Sequence, residues 1–147
     1  MEFLEVVRKI AVDNQFIAGI ILFGSAARGE EEEKSDLDLI VLWENLNVDP
    51  GKRHAHIYSV ISKYFPYNKP TVLEMEYSGF LNIKKATPLV VNIIWDGVVL
   101  YDRHGKLKDF MSNARDQLVA KGLVRRKAGK YYYWELPKPG AKVELEA

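Results

Sequence analysis

Asp36 and Asp38 stand two residues apart in "DLDLIVLW", alternating with leucines where an apolar run begins. On a β-strand, residues i and i+2 project from one face about 6.6 Å apart, so the two carboxylates can converge on ions about 3.5–4 Å from each other. The donors are hard oxygens, which suit Mg²⁺ or Mn²⁺; such ions take one or two carboxylates and leave their other positions to phosphates and water. A second group lies just upstream, where the apolar run "FIAGIILF" ends at Gly24-Ser25. Glycine there lets a phosphate approach the backbone closely. Ser25 heads "SAARGE", read as a short helix whose free N–H groups and positive end favour an anion. Ser25 then offers a hydroxyl and an amide to a triphosphate, and Arg28, one turn later, a charge-assisted hydrogen bond.

Each element alone has a plainer use. Asp-x-Asp at a strand start also fits a solvated edge, and Ser25 also fits a helix N-cap. "GSAARG" is not a Walker-type phosphate loop, because Gly29 is followed by Glu30 and Glu31 instead of Lys and Ser/Thr. The ordered set is what is specific: a strand, Gly-Ser, ten residues, then Asp-x-Asp opening a second strand.

The elements that must position these residues follow from periodicity. Phe3, Val6, Val7, Ile10 and Ala11 predict an amphipathic helix, and Phe16–Phe23 a strand buried on both faces. Asp36–Trp43 predicts a second strand, Lys52–Phe65 a helix, and Thr71–Tyr77 a third strand. Thr87, Pro88 and Gly97 bracket a short buried helix, before a fourth strand over Val98–Asp102. The order α-β-β-α-β-α-β predicts an α/β (α+β) fold, a mixed sheet flanked by helices. A further helical stripe runs over Leu107, Phe110, Met111, Ala114 and Leu118; "LVRRKAGKYYYWEL" predicts a hairpin turned at Ala128-Gly129, and "PKPGAKVELEA" an extended tail. We divide the chain into a main domain, 1–104, and a C-terminal helix, hairpin and tail, 105–147, packed on it.

At 147 residues and 48% hydrophobic, the chain is long enough for one self-sufficient core. It has no cysteine, so no disulfide framework and no thiolate metal site. No apolar run is long enough to span a bilayer and "MEFLEVVRK" is not signal-like, so the expectation is a cytoplasmic protein. A net charge of +1 favours neither nucleic acid nor membrane as a partner. His54 and His56 fall on nearly opposite sides of a helix and read as surface residues. Glu30–Glu33 read as a solvated loop, and Tyr131–Trp134 as a hairpin with one packed and one exposed face.

Gly24-Ser25, ten residues, then Asp36-Leu37-Asp38 resembles the signature of the minimal nucleotidyltransferases, small members of the DNA polymerase beta-like nucleotidyltransferase superfamily. The likeness covers about Phe16 to Arg103, including "TPLVVNIIWDGVVLYD". It implies that Gly24 and Ser25 hold a nucleoside triphosphate, ATP in this reading, and that Asp36 and Asp38 hold Mg²⁺. The implied reaction moves a nucleoside monophosphate to a hydroxyl and releases pyrophosphate. Several members are antitoxins that adenylylate a tyrosine of a HEPN-type toxin, which makes such a toxin the implied partner. The superfamily adds a third acid near the start of the next strand; here that position falls on Thr71, which cannot serve, and Glu74 is the candidate substitute. The alternative is a nucleotide-binding antitoxin or interaction module that acts by contact alone. With most of the chain spent on the nucleotide core, the acceptor is a protein or small molecule before a polynucleotide, and the sequence leaves a homo-oligomer open.

Overall fold

The computed structural model describes residues 3–29, 37–129, 131–138, 140 and 142–146. Asp36 and Glu30–Glu33 lie outside the described residues. The chain runs α1 (Phe3–Asp13), β1 (Ile17–Phe23), α2 (Gly24–Ala27), β2 (Asp38–Trp43), α3 (Pro50–Ser62), β3 (Thr71–Glu76) and α4 (Tyr77–Leu81). It continues through α5 (Pro88–Asp96), β4 (Val98–Asp102), α6 (Leu107–Ala120), β5 (Val124–Ala128) and β6 (Tyr131–Glu135). Among the described residues, no helix is long and apolar enough to cross a membrane.

The main sheet has the order β3-β2-β1-β4, so the near-continuous apolar strands β1 and β2 take its two inner places. Both must be covered on two faces, because neither alternates with polar residues. On one face α1 and α3 bury Val7, Ile10, Ile57 and Ile61 against Ile20, Leu39, Val41 and Val72. On the other, α4, α5 and α6 bury Phe80, Ile93, Leu107 and Met111 against Ile21, Phe23, Ile40 and Leu42. Burying an aliphatic side chain of this size contributes about 1.5–3 kcal/mol. β1 pairs antiparallel with both neighbours, whereas β2 and β3 are parallel. A parallel pair needs a crossover, and α3 supplies it.

Local sequence explains most boundaries. α3 begins at Pro50, whose fixed φ and missing N–H suit a first helical position. Thr87 Oγ1 accepts from Val90 N at 3.3 Å and caps α5 as expected. Gly97 ends α5 for a reason other than a left-handed turn, since its φ is −58°. A Cβ there would run into the backbone oxygen of Ile93 in the last turn of α5, and would also press on Met111 and Ile21, so only glycine lets the chain leave the helix at this angle.

Three expectations change. The third strand stops at Glu76, and Tyr77 starts the short helix α4, where Tyr77 and Phe80 are buried. The Tyr77 hydroxyl donates to Asp102 Oδ1 at 2.7 Å, and burial followed by that carboxylate pushes its pKa far up. Asp102 Oδ2 accepts from Leu107 N at 2.9 Å and fixes the start of α6. The hairpin turns one residue later than expected, because Ala128 belongs to β5 and pairs with Tyr131. The tail folds back: Leu145 N donates to Lys84 O at 2.6 Å, Ala86 N donates to Val143 O at 3.0 Å, and Leu145 is 4% exposed.

Leu145 packs with Val91, Ile94, Ala114, Leu118 and Leu123, joining the tail to α5 and α6. It also borders a cavity of about 350 Å³ shared with Leu81, Phe110 and Asn113. Leu145→Ala should therefore cost about 2–3 kcal/mol in urea unfolding, whereas a free tail would give a change near zero.

Candidate active site

Asp38 opens β2, where its Cα partner across the antiparallel ladder is Phe23, the last residue of β1. Paired residues share a face, and alternation puts Asp38 with Ile40 and Leu42 on the side covered by α5 and α6. The chain leaves β1 through Gly24 at φ +74°, a conformation that costs an L-residue about 1–2 kcal/mol. Space sets the stronger requirement. A Cβ at Gly24 would run into the Asp38 carboxylate, with Asp38 Cγ only 3.1 Å away. The missing side chain of Gly24 is thus what lets the carboxylate and the backbone turn share one place. Gly24, Ser25 and Asp38 are all partly exposed, so the meeting point is open to a ligand.

α2 is only four residues long, with no side-chain cap bond at its start. The aligned-dipole contribution expected for an anion here is correspondingly small, and the Ser25 hydroxyl and the local amides are the donors that remain. Arg28 follows at the C-cap, where its N–H donates to Gly24 O at 3.3 Å. Its guanidinium donates to Asp96 Oδ2 at 3.1 Å and stacks 4.6 Å from the centre of the Tyr132 ring.

Glu74 is not brought to this site. The parallel register sets Asp38 opposite Thr71 and Val41 opposite Glu74, three residues further along, roughly 10 Å at the strand rise. Glu74 also lies on the α1 and α3 face, where it accepts from Trp43 Nε1. The strand pair is parallel as the substitution by Glu74 required, but the odd spacing from Thr71 turns its side chain to the wrong side. Thr71 occupies the register place of a third acid, with its N–H donating to Leu37 O at 2.8 Å.

The donor chemistry fits a hard divalent cation. Asp38 offers a carboxylate at an open strand end, a donor that suits an ion which keeps water and phosphate among its ligands. Among the described residues, no group of three or more His, Cys, Asp or Glu forms a closed cage. His54 is exposed and its Nε2 lies 2.9 Å from Val72 O, as befits a surface histidine.

Sequence reasoning passed over Asp96. Its side chain, 5% exposed, receives Arg28 and also Arg125 of the hairpin, the latter at 2.6 Å. The alternation of Arg125 and Lys127 opposite Tyr132 and Trp134 was the available signal, but it names no partner.

A mixed sheet whose first strand ends in a glycine-serine turn fitted around the opening aspartate of the second defines a nucleotidyltransferase domain. The family model described as "Polymerase beta, Nucleotidyltransferase" matches residues 5–106. The chain belongs to this family and is a nucleotidyltransferase. It is 30% identical over 103 residues to the Methanocaldococcus jannaschii protein named "Putative protein adenylyltransferase MJ1305", covering 67% of this chain and 68% of that one. It is 34% identical over 62 residues to "Putative protein adenylyltransferase MJ1379" of the same organism, covering 42% and 62%. Its fold is shared by a crystal structure described as a toxin-antitoxin with AMP-PNP, at TM-score 0.52 and 17% identity, covering 82% of this chain and 93% of that one.

Gly24→Ala should destabilise the protein by at least about 1–2 kcal/mol in urea unfolding. In an Asp38→Ala background the same change should cost about 1 kcal/mol less, because the group it collides with has gone. Equal costs in the two backgrounds would show that Gly24 and Asp38 do not compete for one space.

Proposed function

We propose that this chain transfers the adenylyl group of ATP to a hydroxyl of a protein partner and releases pyrophosphate. The observation that carries the reading is the Gly24–Asp38 fit, which sets a carboxylate against a backbone turn bearing a serine. The names of the Methanocaldococcus relatives support adenylyl transfer to protein, and AMP-PNP in the fold neighbour supports an adenine nucleotide. Toxin-antitoxin pairing of that neighbour, with the sequence resemblance, supports a HEPN-type toxin as the partner. A cytoplasmic setting fits ATP as donor and a chain without cysteine.

In this reading Ser25 and the Gly24 turn receive the phosphates, while Asp36 and Asp38 hold Mg²⁺ or Mn²⁺. When bound, such an ion neutralises charge on the polyphosphate. The acceptor oxygen attacks the α-phosphorus, the bond from that phosphorus to the bridging oxygen of the β-phosphate breaks, and the acceptor hydroxyl loses its proton. In this reading Asp38 orients the acceptor through the ion it holds, and the proton is taken up by water. Thr71 at its register place lends no base, so turnover is slow and rests on positioning. That same threonine favours a second reading, in which the protein binds nucleotide and neutralises its partner by contact.

With α-labelled ATP, Mg²⁺ and the toxin, label should appear on the toxin, and Asp38→Asn should lower the rate about a hundredfold or more. Chelation of the divalent ion should abolish labelling. Label transfer that survives Asp38→Asn unchanged would overturn the assignment. Absence of label beside an intact complex, with the variant binding equally well, would establish the contact-only reading.

A further inference from the structure

The turn that carries Ser25 has little of its own to hold it. α2 is four residues long, with no buried residue and no side-chain cap at its start, and a helix that short does not sustain itself. Arg28 supplies an anchor. Its backbone N–H donates to Gly24 O at 3.3 Å and closes the turn, while its guanidinium donates to Asp96 Oδ2 at 3.1 Å. One residue thereby ties the Gly24 carbonyl to the end of α5. The Asp96 side chain is 5% exposed and that of Arg28 20%, so their charge-assisted bond is largely withdrawn from water and holds its geometry.

Asp96 is held in turn from the hairpin. Arg125 Nη1 of β5 donates to the same Asp96 oxygen at 2.6 Å. Tyr132 of β6 lies against both guanidinium groups, its ring centre 4.6 Å from that of Arg28 and 4.3 Å from that of Arg125. The hairpin has its own seat on α5, where Trp134 Nε1 donates to Asn92 Oδ1 at 2.7 Å and the Trp134 ring meets Trp95 edge-on. Arg125, Tyr132 and Trp134 all lie beyond residues 5–106, the region matched by the family model. The turn is therefore braced by a part of the chain outside the nucleotidyltransferase domain.

We propose that Asp96 and Arg125 are positioning residues for nucleotide binding: with Tyr132 they fix Arg28, and Arg28 fixes the Gly24-Ser25 turn in the form that receives the phosphates. Both act through Arg28. The proposal rests on the reading of that turn as the seat of a nucleoside triphosphate. It gives the C-terminal hairpin a part in nucleotide affinity without contact with the nucleotide.

Isothermal titration of the full chain with Mg-ATP tests it. Asp96→Asn should weaken Mg-ATP about tenfold, and Arg125→Gln should weaken it in the same direction. Arg125 lies on the hairpin, so its variant keeps the test open where Asp96→Asn unfolds the chain. In an Arg28→Gln background Asp96→Asn should have no further effect, because the link it acts through has gone. Leu145→Ala, which loosens the tail, controls for lost stability and should leave Mg-ATP affinity unchanged. Unchanged affinity in Asp96→Asn and Arg125→Gln, with Asp38→Asn still weakening Mg-ATP, would overturn the positioning role and leave the nucleotide site standing. Equal weakening by Asp96→Asn with and without the Arg28 side chain would overturn the route through it. Failure of the wild type to bind Mg-ATP would overturn the nucleotide reading, and the positioning role with it.

Discussion

The architecture around the site depends on a steric fit between a glycine without a side chain and an aspartate that takes up the space. Phe23 and Asp38 face each other across β1 and β2, and the chain must leave β1 beside the incoming carboxylate. Any Cβ at residue 24 would displace that carboxylate, and the positive φ there already disfavours an L-residue. Serine, arginine and the short α2 helix are placed by this exit. The inner strands hold it in position because both of their faces are packed, Ile20 and Leu39 under α1 and α3, Ile21 and Ile40 under α4, α5 and α6.

A parallel neighbour gives the site its remaining wall and its main peculiarity. Thr71 stands beside Asp38, while the glutamates of β3 begin three residues later on the opposite face. Glu74 is used structurally: it accepts from the Trp43 indole, whose ring also carries the Arg53 guanidinium at 4.2 Å. An acid in that bond cannot reach across the sheet.

The C-terminal segment is bound into the same body. Leu107 and Met111 of α6 reach the core beneath the sheet, and Arg115 donates to Ile94 O and Gly97 O at the end of α5. Trp134 Nε1 donates to Asn92 at 2.7 Å and its ring meets Trp95 edge-on, which seats the hairpin on α5. Its inner face carries Tyr132 and Trp134, and Tyr131 and Tyr133 stay exposed, as the alternation required.

The strands, the main helices and the glycine-serine and aspartate pattern are legible in the sequence, because they follow from short-range rules. Apolar runs bounded by glycine read as buried strands, Pro50 and Pro88 mark helix starts, and Gly-Ser followed after ten residues by Asp-x-Asp is an ordered pattern. What these residues touch depends instead on how distant elements pack. A register one residue different would have turned Glu74 toward Asp38, and nothing local to "TVLEMEY" fixes that choice. Asp96 looks like a helix-ending residue until α2, α5 and the hairpin meet over it, and Leu145 looks like part of a loose tail until α5 and α6 leave it a place. Period and turn chemistry act over a few residues, whereas facing, pairing and closure depend on which distant surfaces the fold brings together.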